Sequence, residues 1–281
     1  MLVNYKKIIR RAYNEHWALG AFNTSNLEFT QAIIEAAEEM RSPVIIQTSE
    51  KAIDYAGLKS ISGLIIAMAR KAKVPVILNL DHGRSYRLAV EAARAGYTAL
   101  MIDGSKLPFV QNITLTRKVV LLGKTYGAGV EGELGTIGGA EDYIKSRGII
   151  MTKPADAKKF VLKTGVDILA VAFGSSHGRP QKGEHLDFIR LRAIRDALKG
   201  VPLVFHGASS TRRDYIRKAI RLGVSKINID TDLRWAFTAA MRKTLADVKI
   251  YDPREILGPG RVAAKEVVKE KMTLFGSCGK A

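Results

Sequence analysis

Short apolar runs, rich in branched side chains, recur along the chain at intervals of roughly 30 residues. Runs that are apolar almost throughout are typical of strands buried on both faces of a parallel sheet. The predicted strands are 18–22, 44–47, 76–80, 99–102, 127–130, 168–173, 203–205 and 226–229.

The segments between these runs have the periodicity of amphipathic helices. In residues 27–40, for example, apolar side chains recur on one face and the glutamates lie elsewhere. Eight strands that alternate with helices predict a parallel sheet closed on itself, a single (β/α)8 TIM barrel. The segment after residue 252 is predicted to form a C-terminal helical appendage. No linker interrupts the chain, so we expect residues 1–281 to form one domain.

An open, doubly wound sheet is the alternative fold. Its glycine fingerprint should follow the first strand, but the chain has GAFNTSN there. The sequence therefore favours the barrel.

The composition is that of an ordinary globular protein, with 47% hydrophobic and 26% charged residues. Cys278 is the single cysteine, so no disulfide can form within the chain. No stretch has the apolar length of a signal peptide or a membrane span. We therefore expect a soluble, cytoplasmic protein with no membrane partner.

The formal net charge of +18 raises the question of nucleic-acid binding. However, the lysines and arginines are spread over many predicted helices, with no basic tail and no known nucleic-acid-binding motif. The sequence therefore argues against a nucleic-acid partner, and a barrel that binds polyanions is kept only as a remote alternative. A positive field would also attract anionic sugar phosphates.

Polar or ionisable residues follow every predicted strand, at the end of the barrel where such folds carry their active sites. These residues are Asn23, Ser49, Glu50, Asp81, His82, Asp103, Glu131, Glu133, His177, His206, Asn228 and Asp230. Three of them are histidines. Three imidazoles with one open position are a common catalytic zinc arrangement. Any one such histidine taken alone is better explained as a rim residue, but three at one rim favour a metal site. His16 and His185 have the character of surface residues.

Two further segments carry candidate chemistry. The stretch HGASS (206–210) leads into a basic helix, and small residues before a helix N-terminus predict a phosphate cradle. Tight turns, which also favour glycine and serine, are the alternative. The glycine-rich segment 132–149 predicts an active-site flap that brings Glu141 over the substrate, with a solvated loop tip as the alternative.

Six motifs, in this order, resemble those of class II fructose-bisphosphate and tagatose-bisphosphate aldolases. They are LNLDHG (78–83), MIDGS (101–105), VEGELGTIGGAED (130–142), AFGSSHG (172–178), VFHGAS (204–209) and SKINIDTDLRWAFTAA (225–240). The resemblance runs essentially from end to end. It implies reversible, metal-dependent cleavage of fructose 1,6-bisphosphate to triose phosphates. Tagatose 1,6-bisphosphate or another phosphorylated ketose is the alternative substrate.

The resemblance also implies roles for matching residues. A catalytic Zn²⁺, or another divalent metal, would be held by His82, His177 and His206, with Glu133 as an alternative ligand. Asp81 would act as the acid and base at the C4 hydroxyl. The family also favours homodimers or homotetramers.

In the flap, Glu141 matches the residue that moves the proton on the dihydroxyacetone phosphate carbon. Asn23 and Asn228 would contact the triose part of the substrate, and Ser49 completes the predicted substrate-binding set. The phosphate, with Na⁺ or K⁺ alongside, would be surrounded by Gly178, Gly207, Ser209, Asp230 and Thr231.

A Schiff-base aldolase is the chemical alternative. The predicted strand 168–173 contains no lysine, and Lys226 is the barrel-strand lysine that could serve instead. A carboxylate beside a ligand histidine, as in Asp81-His82, suits proton transfer in the metal route, which the sequence therefore favours. Departures from the family pattern leave the substrate open: Asn79 stands where a histidine is common, and Ala208 where a second glycine is.

Overall fold

The computed structural model describes residues 1–141, 144–146, 149–178, 185–209 and 211–281, without the side chains of residues 139–141, 144–146 and 177. The strands are β1 (Leu19–Asn23), β2 (Val44–Ser49), β3 (Val76–Gly83), β4 (Ala99–Ile102), β5 (Gly129–Leu134), β6 (Gly138–Glu141), β7 (Ile144–Ser146), β8 (Ile168–Val171), β9 (Ser176–His177), β10 (Leu203–Phe205) and β11 (Val224–Ile229).

Helices alternate with these strands. They are α1 (Lys6–Glu15), α2 (Leu27–Glu39), α3 (Glu50–Ala56), α4 (Leu58–Lys71), α5 (Tyr86–Arg94), α6 (Phe109–Tyr126), α7 (Pro154–Thr164), α8 (Phe188–Leu198), α9 (Arg213–Arg221), α10 (Thr231–Thr244) and α11 (Pro253–Phe275).

The eight strands β1, β2, β3, β4, β5, β8, β10 and β11 form a closed parallel barrel, because β1 pairs with both β2 and β11. The predicted (β/α)8 fold is therefore confirmed. The barrel strands are buried along their lengths, as expected when helices cover one face of a sheet and the interior is packed.

Successive side chains of each strand point to opposite faces of the sheet, and this alternation divides the core in two. Side chains such as Val44 and Ile46 point out toward the helices, whereas Ile45 between them points into the barrel. The inward set is Leu19, Ala21, Ile45, Ile77, Ala99, Ile168, Ala170 and Val204. Helix α1 packs Tyr5, Ile9 and Ala12 against this set and closes the N-terminal end of the barrel.

Two features differ from the expectation. Strands β3 and β5 continue past the predicted ends at residues 80 and 130, so their polar residues lie on the strands themselves. The predicted loop 132–149 includes β6 and β7, which form a hairpin, and β6 also pairs in parallel with β9. The backbone hydrogen bonds of β3 and β5 continue beyond their apolar runs, because the C-terminal end of the barrel accommodates polar side chains.

The C-terminal appendage is helix α11, which begins after an Asp252 cap and packs on α2 and α10. Among the described helices, none alone is long and apolar enough to cross a membrane. Helices α3 and α4 together have the length and apolar composition of a membrane span, but a bend of 97° separates them.

Candidate active site

The C-terminal ends of the barrel strands bring the predicted polar residues into one buried cluster. Every residue of this cluster is less than a tenth exposed; the cluster consists of Asn23, Ser49, Asp81, His82, Glu131, Glu133, His206, Asn228 and Asp230. They come from five strands and from the segments that follow β10 and β11. The register of the parallel strands fixes the positions of these residues along the barrel axis; for example, Ser49 on β2 lies beside Asp81 on β3.

Two of the three predicted metal-binding histidines face each other. Nε2 of His82 lies 3.0 Å from Nδ1 of His206, and the ring planes are inclined by 72°. His82 also has a φ of 46°, an unusual backbone for a non-glycine residue and one that is found preferentially at functional sites. Residue His177 lies on β9, and its side chain is outside the described part of the structure.

A carboxylate lies on the far side of each ring. Nδ1 of His82 lies 3.3 Å from Oδ2 of Asp103, and Nε2 of His206 lies 2.9 Å from Oε1 of Glu131. If these ring nitrogens donate to the carboxylates, the lone pairs of the other two nitrogens point toward each other across 3.0 Å. Nδ1 of His206 also lies 3.2 Å from Nδ2 of Asn228, which can donate to it. The close approach of the two ring nitrogens is itself favourable when a proton or a metal cation lies between the rings.

Negative charge exceeds positive charge around the rings. Burial and the neighbouring Asp103 raise the pKa of Glu133 well above its usual value. Nδ1 of His82 is 3.4 Å from Oε2 of Glu133, yet within the described chain that oxygen accepts no hydrogen bond. Burial opposes a proton on His82, but Asp81 and Asp103 raise its pKa well above the ordinary value. The cluster therefore has a deficit of positive charge.

This deficit suits a divalent cation. Two groups of ligating atoms, each within 4.8 Å of one another, are available: Asp81, His82 and His206, or His82, Asp103 and Glu133. Imidazole nitrogens with carboxylate oxygens are ligands of first-row transition metals and zinc. Burial lowers the pKa of His206 to about 4, so its ring is neutral at neutral pH, as a ligand must be.

Asp81 is held by a chain of amide side chains that the sequence analysis did not anticipate. Its Oδ2 accepts a hydrogen bond from Asn23 at 2.8 Å and its Oδ1 accepts one from Asn228 at 3.2 Å. Gln47 donates to Asn23 at 2.7 Å, and Asn79 donates to Gln47 at 3.2 Å. The available signal was the presence of Gln47 and Asn79 within otherwise apolar strands.

Lys226 lies near His206, one of the predicted metal ligands, and is fully buried. Its Nζ is 2.7 Å from Oε2 of Glu131, whose other oxygen contacts His206. Burial alone would raise the pKa of Glu131, but Lys226 and His206 lower it to about 2. Lys226 therefore stabilises the carboxylate that orients His206, and this ion pair does not favour the Schiff-base alternative.

This arrangement predicts a stability effect. Lys226→Met leaves the buried Glu131 carboxylate without its cation, and we expect a loss of about 3–5 kcal/mol in the free energy of unfolding. The double variant Lys226→Met/Glu131→Gln should recover most of that loss, because no buried charge remains unpaired. Urea unfolding of the three proteins measures the effect. Equal stability of the single variant and the parent would contradict the assignment.

A cleft at the C-terminal end of the barrel brings together three of the predicted substrate-binding residues, Asn23, Ser49 and Asp230. It is lined by Asn23, Thr24, Ser25, Phe29, Ser49, Ala52, Asp230 and Arg234. Helix α10 begins at Thr231, so its N-terminus lies at the cleft. Arg234, one turn into α10, lies 2.8 Å from Asp230. Arg234 is not among the residues predicted from the sequence, although a basic residue one turn after the last strand was a usable signal.

The other predicted phosphate contacts lie on loops after β9 and β10. Gly178 and Gly207 have φ values of 89° and 68°, which glycine adopts at little cost. Ser209 is buried on the same loop as Gly207. The side chain of Glu141, the proposed flap residue, lies outside the described side chains, and so do residues 179–184.

Comparisons with known proteins agree on one family. The family model described as "Fructose-bisphosphate aldolase class-II" matches residues 3–280. The fructose-bisphosphate aldolase of Thermus caldophilus is 45% identical, over 100% of both chains. The 6-phospho-5-dehydro-2-deoxy-D-gluconate aldolase of Bacillus licheniformis is 42% identical, over 99% of this chain and 96% of the relative. The crystal structure of the YdjI aldolase from Escherichia coli K12 superposes with a TM-score of 0.89 and 38% identity, over 100% of both chains.

Proposed function

Since the chain belongs to the class II fructose-bisphosphate aldolase family, we propose that residues 1–281 form one catalytic domain that cleaves fructose 1,6-bisphosphate reversibly. The products are dihydroxyacetone phosphate and glyceraldehyde 3-phosphate. The observation that carries this proposal is the buried pair of facing imidazoles, His82 and His206, with the carboxylate of Asp81 beside them.

Fructose 1,6-bisphosphate is preferred over its C4 epimer, tagatose 1,6-bisphosphate, because relatives about 45% identical are named for the fructose substrate. The relative named for 6-phospho-5-dehydro-2-deoxy-D-gluconate, at 42% identity, supports a second candidate. Both substrates are phosphorylated and are cleaved by an aldolase, so the same catalytic groups serve either.

The metal that the family requires is proposed to be Zn²⁺, held by His82, His177 and His206, with Glu133 as an alternative ligand. The facing ring nitrogens of His82 and His206 and the buried Oε2 of Glu133 fit this set. When bound, the metal supplies a Lewis acid that stabilises the negative charge developing on the substrate as the C3–C4 bond breaks.

Asp81 is proposed to accept the proton of the C4 hydroxyl during cleavage and to return it during condensation. Its two hydrogen bonds from Asn23 and Asn228 hold the carboxylate in one orientation. A carboxylate fixed in this way loses little conformational entropy when the substrate arrives. Asn23 and Asn228 are also proposed to contact the triose part of the substrate.

The proposed contacts to one phosphate, with Na⁺ or K⁺ alongside, are Gly178, Gly207, Ser209, Asp230 and Thr231. Backbone N–H groups and the N-terminus of α10 suit an anion. Ser49 and Arg234 line the same cleft as Asp230 and are proposed as further contacts to the substrate. A homodimer or homotetramer is proposed from the family, and light scattering measures it directly.

Glu141 is proposed to remove and return the proton on the carbon of dihydroxyacetone phosphate that attacks the aldehyde. The variant Glu141→Ala is expected to slow exchange of that proton with deuterated water by about 10²-fold or more. Binding of dihydroxyacetone phosphate should change little. Proton NMR of the enzyme with dihydroxyacetone phosphate measures the rate, and an unchanged rate would remove Glu141 from the mechanism.

The experiment that tests the function is a comparison of three substrates, with and without a chelator. Fructose 1,6-bisphosphate should be cleaved fastest, ahead of tagatose 1,6-bisphosphate and 6-phospho-5-dehydro-2-deoxy-D-gluconate. Cleavage should disappear with the chelator and return with Zn²⁺. Cleavage that ignores the chelator would refute the metal route. Cleavage of the gluconate derivative alone would keep the site and change the substrate.

A further inference from the structure

Much of the positive charge of this protein lies on three helices. Helices α1, α8 and α9 together contain eleven lysines and arginines but only three acidic residues. Other helices also carry an excess of cations, such as three with no acid on α4 and three on α6. At the contact between α2 and α11, by contrast, Glu39 pairs with both Lys265 and Lys269. The net charge of +18 is therefore not an even coating of the surface.

The three helices adjoin one another in the fold. Nη1 of Arg10 on α1 lies 3.5 Å from the carbonyl oxygen of Gly200, just after α8. A Cβ atom built on Gly223, just after α9, would lie 3.1 Å from Cγ of Arg195 and 3.3 Å from the ring of Tyr13. Nζ of Lys218 on α9 lies 4.3 Å from the ring centroid of Phe188 on α8.

These contacts define one surface, which we call the basic face. Its members are Arg10, Arg192, Arg195, Lys199, Lys218 and Arg221. Three of them, Arg192, Arg195 and Lys199, follow the i, i+3, i+7 spacing that places side chains on the same side of a helix.

Acidic neighbours do not neutralise the basic face. Arg195 pairs with Asp196 at 2.6 Å. In the part of the chain that the structure describes, the other five members have no carboxylate within ion-pair distance. The remaining acids of the three helices are engaged elsewhere, with Asp214 paired to Arg212 and Glu15 paired to Arg11 and Lys280.

Helix electrostatics explain only part of this pattern. Cations near a helix C-terminus interact favourably with the macrodipole, and that accounts for Lys218 and Arg221. Arg10 in the middle of α1 and Arg192 in the first half of α8 gain nothing from the dipole. Their mutual repulsion opposes folding and also opposes self-association through this face.

The basic face lies too far from the active site to steer the substrate. Arg10, Arg195, Lys199 and Arg221 lie toward the N-terminal end of the barrel, because α1 closes that end and the C-termini of α8 and α9 lead into β10 and β11. Arg192 and Lys218 lie further along α8 and α9. The catalytic cluster lies at the other end of the strands. The neighbouring strands β8, β10 and β11 have four, three and six residues and span about 10–20 Å, whereas charges are screened over about 8 Å at physiological salt.

We propose that the basic face binds the phosphodiester backbone of nucleic acid without base specificity. Four of its six members are arginines, whose planar guanidinium groups bind phosphate oxygens in pairs. Arg192 and Lys199 are about 10 Å apart along the helix axis, and neighbouring helices are about 10 Å apart. A surface of this size spans about three or four phosphates.

An anionic membrane suits this surface less well. Surfaces that bind membranes combine basic residues with exposed apolar side chains that enter the lipid. None of the large hydrophobic side chains found exposed in the described residues lies on α1 or α9. On α8 there is Ile189, which lies at the opposite end of the helix from Lys199.

The test measures the binding of fluorescent single-stranded RNA and duplex DNA, each about 20 nucleotides or base pairs long, by anisotropy over a range of KCl concentrations. Binding in the micromolar range is expected at about 100 mM salt, with a slope of log K against log [KCl] near −3. The triple variant Arg192→Gln/Lys199→Gln/Arg221→Gln should bind at least about 10-fold more weakly and have a slope smaller in magnitude by about 2.

The matched control removes three exposed charges from the other side of the barrel. Arg70, Lys71 and Arg94 lie on α4 and α5, and Arg70→Gln/Lys71→Gln/Arg94→Gln loses the same number of arginines and lysines. Its affinity should stay within about 2-fold of the parent. Aldolase activity should be unchanged in both triples, which shows that they are folded and makes this result independent of the proposed function.

Three results would overturn the proposal. If nucleic-acid binding weakens equally in the two triple variants, net charge rather than the basic face determines the affinity. A Kd above about 100 µM at about 100 mM salt would place the affinity at the weak limit of non-specific binding. Tighter binding to vesicles of phosphatidylserine and phosphatidylcholine than to either nucleic acid would assign the surface to membranes.

Discussion

The variant His82→Asn should lose both bound metal and aldol cleavage. Asparagine is the replacement because residue 82 has a φ of 46°, which asparagine tolerates better than alanine. Without the imidazole, Nδ1 of His206 faces no second ring nitrogen, and Asp81, Asp103 and Glu133 remain around a smaller side chain. We expect kcat to fall by about 10³-fold or more, equivalent to about 4 kcal/mol of transition-state stabilisation.

The measurement combines metal content after desalting with cleavage of fructose 1,6-bisphosphate at saturating Zn²⁺. The matched control is His16→Asn, because His16 has a φ of 56° but lies exposed at the end of α1. That variant should retain full metal content and activity. A His82→Asn protein that kept metal-dependent turnover at the parent's rate would refute the ligand assignment.

The variant Asp81→Ala is expected to keep its metal and lose turnover. A positioned acid or base contributes about 10²–10⁴-fold to a reaction rate, so kcat should fall by that factor. Asp81→Asn removes the negative charge at nearly constant shape, and it should lose a similar amount. Agreement between the two variants would attribute the loss to the carboxylate rather than to packing around Asn23 and Asn228.

The same experiment separates two roles that the geometry allows for Asp81. The carboxylate oxygens of Asp81 lie within 4.8 Å of ligating nitrogens of His82 and His206, so Asp81 could itself bind the metal. Metal content distinguishes the roles, because loss of a ligand lowers retention whereas loss of an acid or base does not. A variant that loses its metal would make Asp81 a ligand, and a variant with normal turnover would exclude both roles.

The fold could be predicted because its signal is local and repeated. Most barrel strands contain an apolar run because they are buried on both faces, and in β2 and β3 the polar residues gather toward the C-terminal end. The number of such runs predicted closure, and the parallel arrangement placed polar residues from different strands at one end. This reasoning brought His82, His206 and Asp81 together without any knowledge of distances.

Contacts beneath the rim could not be predicted, because they depend on the stagger between strands that are distant in sequence. The pairing of Lys226 with Glu131 near His206 joins β11 to β5, which are not neighbours in the barrel. The amide chain through Asn79 and Gln47 crosses three strands. Each of these side chains alone resembles an isolated polar substitution in a core strand.

The sequence by itself determined the fold class, the family resemblance and the end of the barrel where the chemistry takes place. Only the tertiary structure decided which ring nitrogens face each other, which carboxylates orient them, and that α1 closes the barrel. It also changed the interpretation of the net charge. Arg10 and Arg195 are distant in sequence, but the packing of α1 against the ends of α8 and α9 brings them close together. Strand periodicity does not reveal this, because the charge of a surface is summed over elements that meet only after folding.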